Sequence, residues 1–286
     1  MMEFLADDPR SEYTLSEIAR AIDHNKASCS GILHTLEQSG LVSRHPVHKR
    51  YSVGPALIRL GAAASDRFRV IGAATTEVSK LAAELDLQWN ISAPIGGYIV
   101  ELAASYHRVP LFGLEVGQKV PFVAPVGAVY VAWSSPSEIE DWINRSDGGP
   151  DDEAKAARHR QSAAAIKRRG YSVGVQSDVY AKILEAVSSG MEETAEEEDA
   201  SDHVLSILRE SSSDDYSLID VQPDAKHRVV FIAAPVFNAD RVVAAITLVG
   251  FETPLVEAEI DSIGKRLIEA AKAASHTLER EDLGRP

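Results

Sequence analysis

Between residues 13 and 51 the apolar positions follow two short helical periods separated by a polar break. Leu15, Ile18, Ala19 and Ile22 fall at i, i+3, i+4 and i+7, which predicts a first helix over 15–21. Thr14 with Glu17 three places on has the spacing of a capping box. Asp23, His24 and Asn25 interrupt the period, and Asn25 is placed to cap a second helix that buries Ile32, Leu33 and Leu36. The opposite face of that helix carries Lys26, Ala27, Ser28, Ser30, Gly31 and His34, small or polar side chains that let a backbone approach a groove. Gly40 suits a helix end, and 41–44 with 49–53 reads as a two-stranded hairpin tipped by His45, Pro46, Val47 and His48. Helix, tight turn, helix and basic hairpin in this order predict a winged helix-turn-helix, a module whose second helix enters the DNA major groove. On that reading the second helix faces base edges, while Arg44, His48, Lys49 and Arg50 of the wing contact phosphates.

Further along, 55–69 predicts a linker helix, with Pro55 in its first turn and Leu57, Ile58, Leu60, Gly61 and Ala64 along it. A second helix follows over 70–87, with Ile71, Val78, Leu81, Ala82 and Leu85 on one face. The period then changes to strands at 91–93 and 98–103 around Ile95, Gly96 and Gly97, as in a hairpin. In 116–133, Pro121 and Pro125 stop a strand and Gly127 opens a short apolar helix. Helices are predicted over 137–144 and 152–169, the second ending in Arg168, Arg169 and Gly170, with a loop at 147–152 between them. Two long apolar runs, 228–237 and 241–251, form a hairpin central to a sheet, and 260–278 closes the chain as a packing helix. Between 174 and 215, Val179, Ile183 and Val187 and then Val204, Ile207 and Leu208 have helical spacing on either side of the acidic run 192–199, which predicts a solvated helical insertion. The fold class is therefore α+β: a winged helix over 1–54, a linker helix over 55–69, and a domain of antiparallel sheet flanked by helices over 70–280.

Composition narrows the function. A chain of 286 residues, 45% of them apolar, can bury a core in each of two domains. The single cysteine, Cys29, excludes an intramolecular disulfide and suits a reducing compartment; near the start of the second helix it reads as a packing residue rather than a redox sensor. Without a signal peptide or an apolar run near the ~20 residues of a membrane span, the chain is expected to be cytoplasmic. A net charge of −14 is unusual for a nucleic-acid binder, but residues 20–59 hold six Lys or Arg against two Asp or Glu, whereas 174–215 hold two against twelve. A weakly basic head on an acidic body suits specific DNA binding with restrained non-specific affinity. No nucleophile elbow, phosphate-binding glycine loop or zinc-protease helix is present, and the nine histidines are dispersed, so no catalytic residue, metal or cofactor is predicted. The alternative is a cytosolic metabolite-binding protein or enzyme with a vestigial helix-turn-helix.

The run Leu15-Ser16-Glu17-Ile18-Ala19, Lys26-Ala27-Ser28, Leu33-His34-Thr35-Leu36-Glu37 and Ser39-Gly40-Leu41-Val42 resembles the IclR family of bacterial transcriptional regulators. The resemblance continues through Tyr51-Ser52-Val53-Gly54-Pro55 into Leu57-Ile58-Arg59-Leu60-Gly61. It implies a GAF-like effector-binding domain after the linker and a double-stranded DNA operator; because a winged helix reads only a half-site, a homodimer or dimer of dimers is expected, with the apolar faces of 55–85 as its contact. It also implies that a small organic effector, an organic or aromatic acid, lies between the loop-helix of Val126, Gly127, Ala128 and Trp133 and a sheet face carrying Phe231, Thr247 and Val249. On that basis Gly127→Leu or Phe231→Ala is expected to abolish the effector response. Three departures stand out. Ser30 and Gly31 replace larger or basic residues of many members, Ala128-Val129-Tyr130 stands where many have Gly-Lys-Ala, and residues 1–5 supply only the end of a first helix.

Overall fold

The computed structural model describes residues 1–8, 10–67, 69–105, 116–145, 153–178, 181–182, 185, 206–207, 218–219 and 225–283. The chain divides into two compact units, the first formed by Met1–Phe68 and the second beginning at Arg69.

In the first unit, helices α1 (Met2–Asp7), α2 (Leu15–Ala21) and α3 (Lys26–Gln38) pack with the hairpin β1 (Val42–Arg44) and β2 (Tyr51–Val53) around Leu5, Ile18, Leu33, Val42 and Tyr51. Both caps foreseen from the spacing form. The Thr14 hydroxyl accepts from the Glu17 N–H while the Glu17 carboxylate accepts from the Thr14 N–H, and the Asn25 side chain accepts from the Ser28 N–H. Gly40, at φ +72°, ends α3 in a Schellman motif: the Leu41 N–H donates to the Leu36 carbonyl and the Gly40 N–H to that of Glu37. One buried position differs from expectation. Ile32 is 45% exposed, and the fully buried Cys29 takes its place, because Cys29, Leu33 and Leu36 share the inward stripe and Ile32 lies about 100° off it. Burial without a partner makes Cys29 a packing residue. Helix α4 (Ala56–Arg67) completes this unit.

The second unit is built on a six-stranded antiparallel sheet of order β5-β4-β3-β8-β7-β6. Its strands are β3 (Gln88–Ile95), β4 (Tyr98–Ala104), β5 (Lys119–Pro121), β6 (Ser172–Val175), β7 (Val229–Asn238) and β8 (Arg241–Val249). Gly96 and Gly97, both at positive φ, turn β3 into β4, and Ala239-Asp240 turn β7 into β8. Helices α5 (Arg69–Leu85) and α9 (Glu257–Leu283) cover one face, burying Val78, Leu81, Ile260, Leu267 and Ala274 against Ile91, Ile232, Ile246 and Leu248. The short helix α6 (Ala128–Val131) lies over the other face, backed by α7 (Pro136–Arg145) and α8 (Glu153–Arg169). Strand β6 was not foreseen: four residues including Gly174 are too few to show alternation. The predicted loop over 147–152 and most of the insertion over 174–215, with its acidic run, lie outside the described residues. No described helix is long and apolar enough to cross a membrane.

Gly54 holds the wing against the end of α3. A Cβ there would collide with the Gly40 carbonyl oxygen and lie 2.7 Å from the Leu41 carbonyl carbon, both backbone atoms that cannot yield separately. Gly54→Ala is therefore expected to destabilise the first unit by about 1–3 kcal/mol, the usual cost of overpacking. Urea unfolding followed by amide exchange of β1 and β2 checks this; an unchanged midpoint would contradict it.

Candidate functional site

The capped α3 presents Lys26, Ala27, Ser28, Ser30, Gly31 and His34 as an exposed face, while Cys29 and Leu33 anchor it from behind. A Cβ at Gly31 would meet nothing within 4 Å, so this part of the face stands clear of the rest of the protein. In the wing, Lys49 is exposed and left-handed at φ +55°. His45 Nδ1 accepts from the N–H groups of Val47 and His48, and the two imidazoles stack at 4.7 Å, so His48 sits on an ordered tip. Arg44 is exposed, with its guanidinium over the Tyr51 ring at 5.1 Å.

Arg50, expected to contact phosphate, is also bonded within the first unit. Its Nε donates to the Glu12 carbonyl at 2.9 Å and its Nη2 to the Glu17 carboxylate at 3.1 Å. Hydrogen bonds from Thr14 hold the Glu17 carboxyl below the usual glutamate range, and Arg50 lowers it further. Arg50 thus ties β2 to the capping box of α2, a contact that residues 33 apart in sequence could not announce.

In the second unit, strand register places Phe231, Thr247 and Val249 on the sheet face away from α5 and α9. Phe231 pairs with Val249 and Ala233 with Thr247. The Phe231 ring fills the space where Gly174 on β6 lacks a side chain. Opposite, Val126 packs in the layer between α6 and the sheet, and its carbonyl accepts from the Trp142 indole at 2.9 Å. The other loop-helix residues named from the sequence do not form an open wall with it. Ala128 turns away to pack with Trp142, Ile143 and Ile166, because successive residues of a short helix point about 100° apart. Trp133 packs edge-on against Phe237 at 5.3 Å. Gly127, at φ +83°, is closely packed: a Cβ would sit 2.6 Å from Ile99 Cδ1 and 2.7 Å from the Phe122 ring. Enlarging Gly127 would therefore strain the fold itself and cannot report cleanly on a ligand.

Four residues missed in the sequence form the polar part of this layer: Asn90, Ser92, Glu101 and Tyr130. Asn90 and Ser92 share a face of β3, Asn90 opposite Thr247 and Ser92 opposite Glu101. The Ser92 and Tyr130 hydroxyls are hydrogen-bonded at 2.9 Å between sheet and α6, and Asn90 Nδ2 donates to Glu101 Oε2 at 2.8 Å. Glu101 is 4% exposed, and its Oε1 and the Asn90 Oδ1 are buried with no hydrogen-bond partner. Burial pushes the Glu101 carboxyl up to about 8, against smaller downward pulls from Asn90 and the Ile91 N–H. Burial also raises the Tyr130 phenol, Ser92 opposes this, and Glu101 adds to it. Leaving a buried polar atom unpaired costs about 1–3 kcal/mol, so an ionised Glu101 would be an expensive feature of this layer and the protonated form, whose O–H is a donor, is favoured. The available signal was polar residues at alternate positions of β3, which ordinarily mark a solvated face. Among the described residues no group of three metal-ligating side chains stands together.

The raised Glu101 carboxyl gives a signed pH dependence. The folded state holds this proton more tightly than the unfolded chain, whose glutamate titrates near 4.5. Its contribution to stability is therefore full below about 4.5 and is lost as pH rises through about 8. Denaturant unfolding from pH 5 to 8 should show stability falling more in the wild type than in Glu101→Gln; equal slopes would count against a neutral buried acid.

Residues 1–46 match the IclR helix-turn-helix domain. No curated protein matches the chain significantly. In fold it is similar to the IclR transcriptional regulator from Alicyclobacillus acidocaldarius, at 20% identity over 96% of this chain and 94% of that one, TM-score 0.61. It is likewise similar to the IclR of Thermotoga maritima, at 17% identity over 97% and 95%, TM-score 0.63. An IclR homologue from Microbacterium hydrocarbonoxydans, complexed with 4-hydroxybenzoate, matches at 15% identity over 98% and 100%, TM-score 0.61. The amino-terminal residues thus carry an IclR-type helix-turn-helix domain, and the fold along the rest of the chain is similar to that of IclR transcriptional regulators.

Proposed function

We propose that this protein reads a double-stranded operator through α3, positions itself through the wing, and changes its operator affinity when a small organic molecule binds the α6-side layer of the second unit. The observation that carries the DNA reading is the exposed stripe of Lys26, Ala27, Ser28, Ser30, Gly31 and His34 on a helix capped at both ends and anchored by Leu33. Ser28, Ser30 and His34 carry the base contacts, and Lys49, Arg44 and His48 the phosphate contacts. The capped helices and their buried anchors speak against the vestigial reading. The effector's body lies against Phe231, Val249 and Val126, with Thr247 and the polar residues of β3 and β4 toward its polar end. The 4-hydroxybenzoate complex of the Microbacterium relative supports a small ring-sized effector. Regulation of an operator places the protein in the cytoplasm.

The protein acts as a homodimer or a dimer of dimers, since one winged helix reads only a half-site. Helix α4 supports this: Ile58 is 77% and Leu60 46% exposed, large apolar side chains that the described residues of the first unit leave uncovered.

Two outcomes test the proposal. In binding-site selection and salt titration on upstream DNA, Lys49→Ala should weaken all sequences alike and reduce the salt slope by about 1, whereas Ser28→Ala or Ser30→Ala should change base preference. Arg50→Ala should instead lower the stability of the first unit; if it lowered only the salt slope, its assignment to Glu17 would be wrong. In light scattering at micromolar concentration the protein should have at least dimeric mass, and Ile58→Glu should shift it toward monomer with loss of operator affinity. A monomeric wild type that still binds DNA would overturn the dimer.

A further inference from the structure

Resting on the effector reading above, the polar residues of β3 and β4 narrow the ligand's chemistry. Asn90 Oδ1 and Glu101 Oε1 are the atoms left without a partner in two side chains already bonded to each other, both on the sheet face that α6 covers. Glu101 is more than nine-tenths buried, and among the described residues no lysine or arginine is buried with it. An acidic ligand would bring a second negative charge into this layer with no buried cation to meet it. The neutral carboxyl's own proton can serve one of these two atoms; once it has left, two acceptors call for two donors, of which a hydroxyl supplies one and a primary ammonium three. The apolar residues Phe122, Phe231 and Val249 on the same side suit an aromatic or aliphatic body.

We propose that the effector of this protein is a small apolar primary amine whose ammonium docks between Asn90 Oδ1 and Glu101 Oε1. No covalent bond forms. The Glu101 carboxyl releases its proton to solvent, and the resulting carboxylate pairs with the ammonium. The carboxyl's elevated titration, at about 8, means that this proton is present to be released near pH 7. The titratable group facing it from α6 is Tyr130, whose phenol burial keeps protonated; on β5, Lys119 pairs in register with Val100 and lies over the Tyr98 ring, on the opposite side of the sheet.

The test uses the full-length protein and matched amines, alcohols and carboxylic acids on benzyl, phenethyl, cyclohexylmethyl and hexyl bodies. They are screened by thermal shift and followed by calorimetry at pH 7 in buffers of different ionisation enthalpy. At least one amine should bind more tightly than its matched alcohol and acid and release about one proton per site, as an ionising carboxyl requires. Glu101→Gln should weaken that amine roughly ten- to hundred-fold and abolish proton release. Glu101→Leu should also lose the response, and the unliganded melting temperatures of both variants establish that they fold. Acids binding more tightly than amines, with operator affinity shifted, would overturn the amine and leave the effector site standing. Alcohols binding equally to wild type and Glu101→Gln without proton release would overturn the role of Glu101. Binding by no member would overturn the amine assignment; operator release by an unrelated compound would show that the wider reading survives.

Discussion

The second unit depends on burying the β7–β8 hairpin on both faces. Nearly every residue from Val229 to Phe237 and from Val242 to Val249 is buried or half-buried, so neither face of these strands can be left to water. Antiparallel sheets more often leave one side solvated, which is why the two coverings differ in kind. On one side lie two long helices, α5 and α9, joined at the surface by the Arg266–Glu84 pair. On the other lies a four-residue helix held in place by the Trp142 indole on the Val126 carbonyl. Long helices make a dry, fully apolar layer. A loop and a single helical turn leave a layer in which polar side chains are retained, the layer proposed for the effector.

In the first unit, few interactions do several tasks each. The Glu17 carboxylate closes the capping box of α2 and receives the guanidinium of Arg50, the residue before β2. Arg50 reaches on to the Glu12 carbonyl, beside the Tyr13–Tyr51 bridge that joins the approach to α2 with the wing. An exposed ion pair alone adds little to stability. Here it ties the wing to α2, and in the proposed complex the wing's phosphate contacts would set how α3 is aligned on DNA. That leaves Lys49, Arg44 and His48 as the cationic and polar edge of the wing.

The retained polar set on β3 and β4 has a thermodynamic logic that links it to regulation. A buried acceptor without a donor raises the free energy of the empty state, so a ligand that supplies the donor gains more there than it would at a solvated site. Only a difference in ligand affinity between two states can move the DNA-binding equilibrium, and typical coupling in such regulators is about 1–3 kcal/mol. The unpaired atoms of Asn90 and Glu101 are a local source of that size, placed where the proposed ligand would meet them.

Much of the architecture was legible in the sequence. The capping box at Thr14 and Glu17, the Asn25 cap, the Gly40 stop and the hairpins at Gly96-Gly97 and Ala239-Asp240 all arise between near neighbours, and local chemistry is written in local spacing. The apolar runs of β7 and β8 announced a central hairpin for the same reason. Position within a helix was less legible, since Ile32 and Cys29 exchange roles through a rotation of the buried stripe that hydrophobicity alone does not fix. Tertiary structure alone decided the rest. The bond of Arg50 to Glu17, 33 residues earlier, exists only once the fold brings the two together. Asn90, Ser92 and Glu101 alternate with apolar neighbours as residues of a solvated face do, and only the placement of α6 over that face turns them into a buried polar site. A strand's pattern tells which residues share a side; what covers that side is a property of the whole chain.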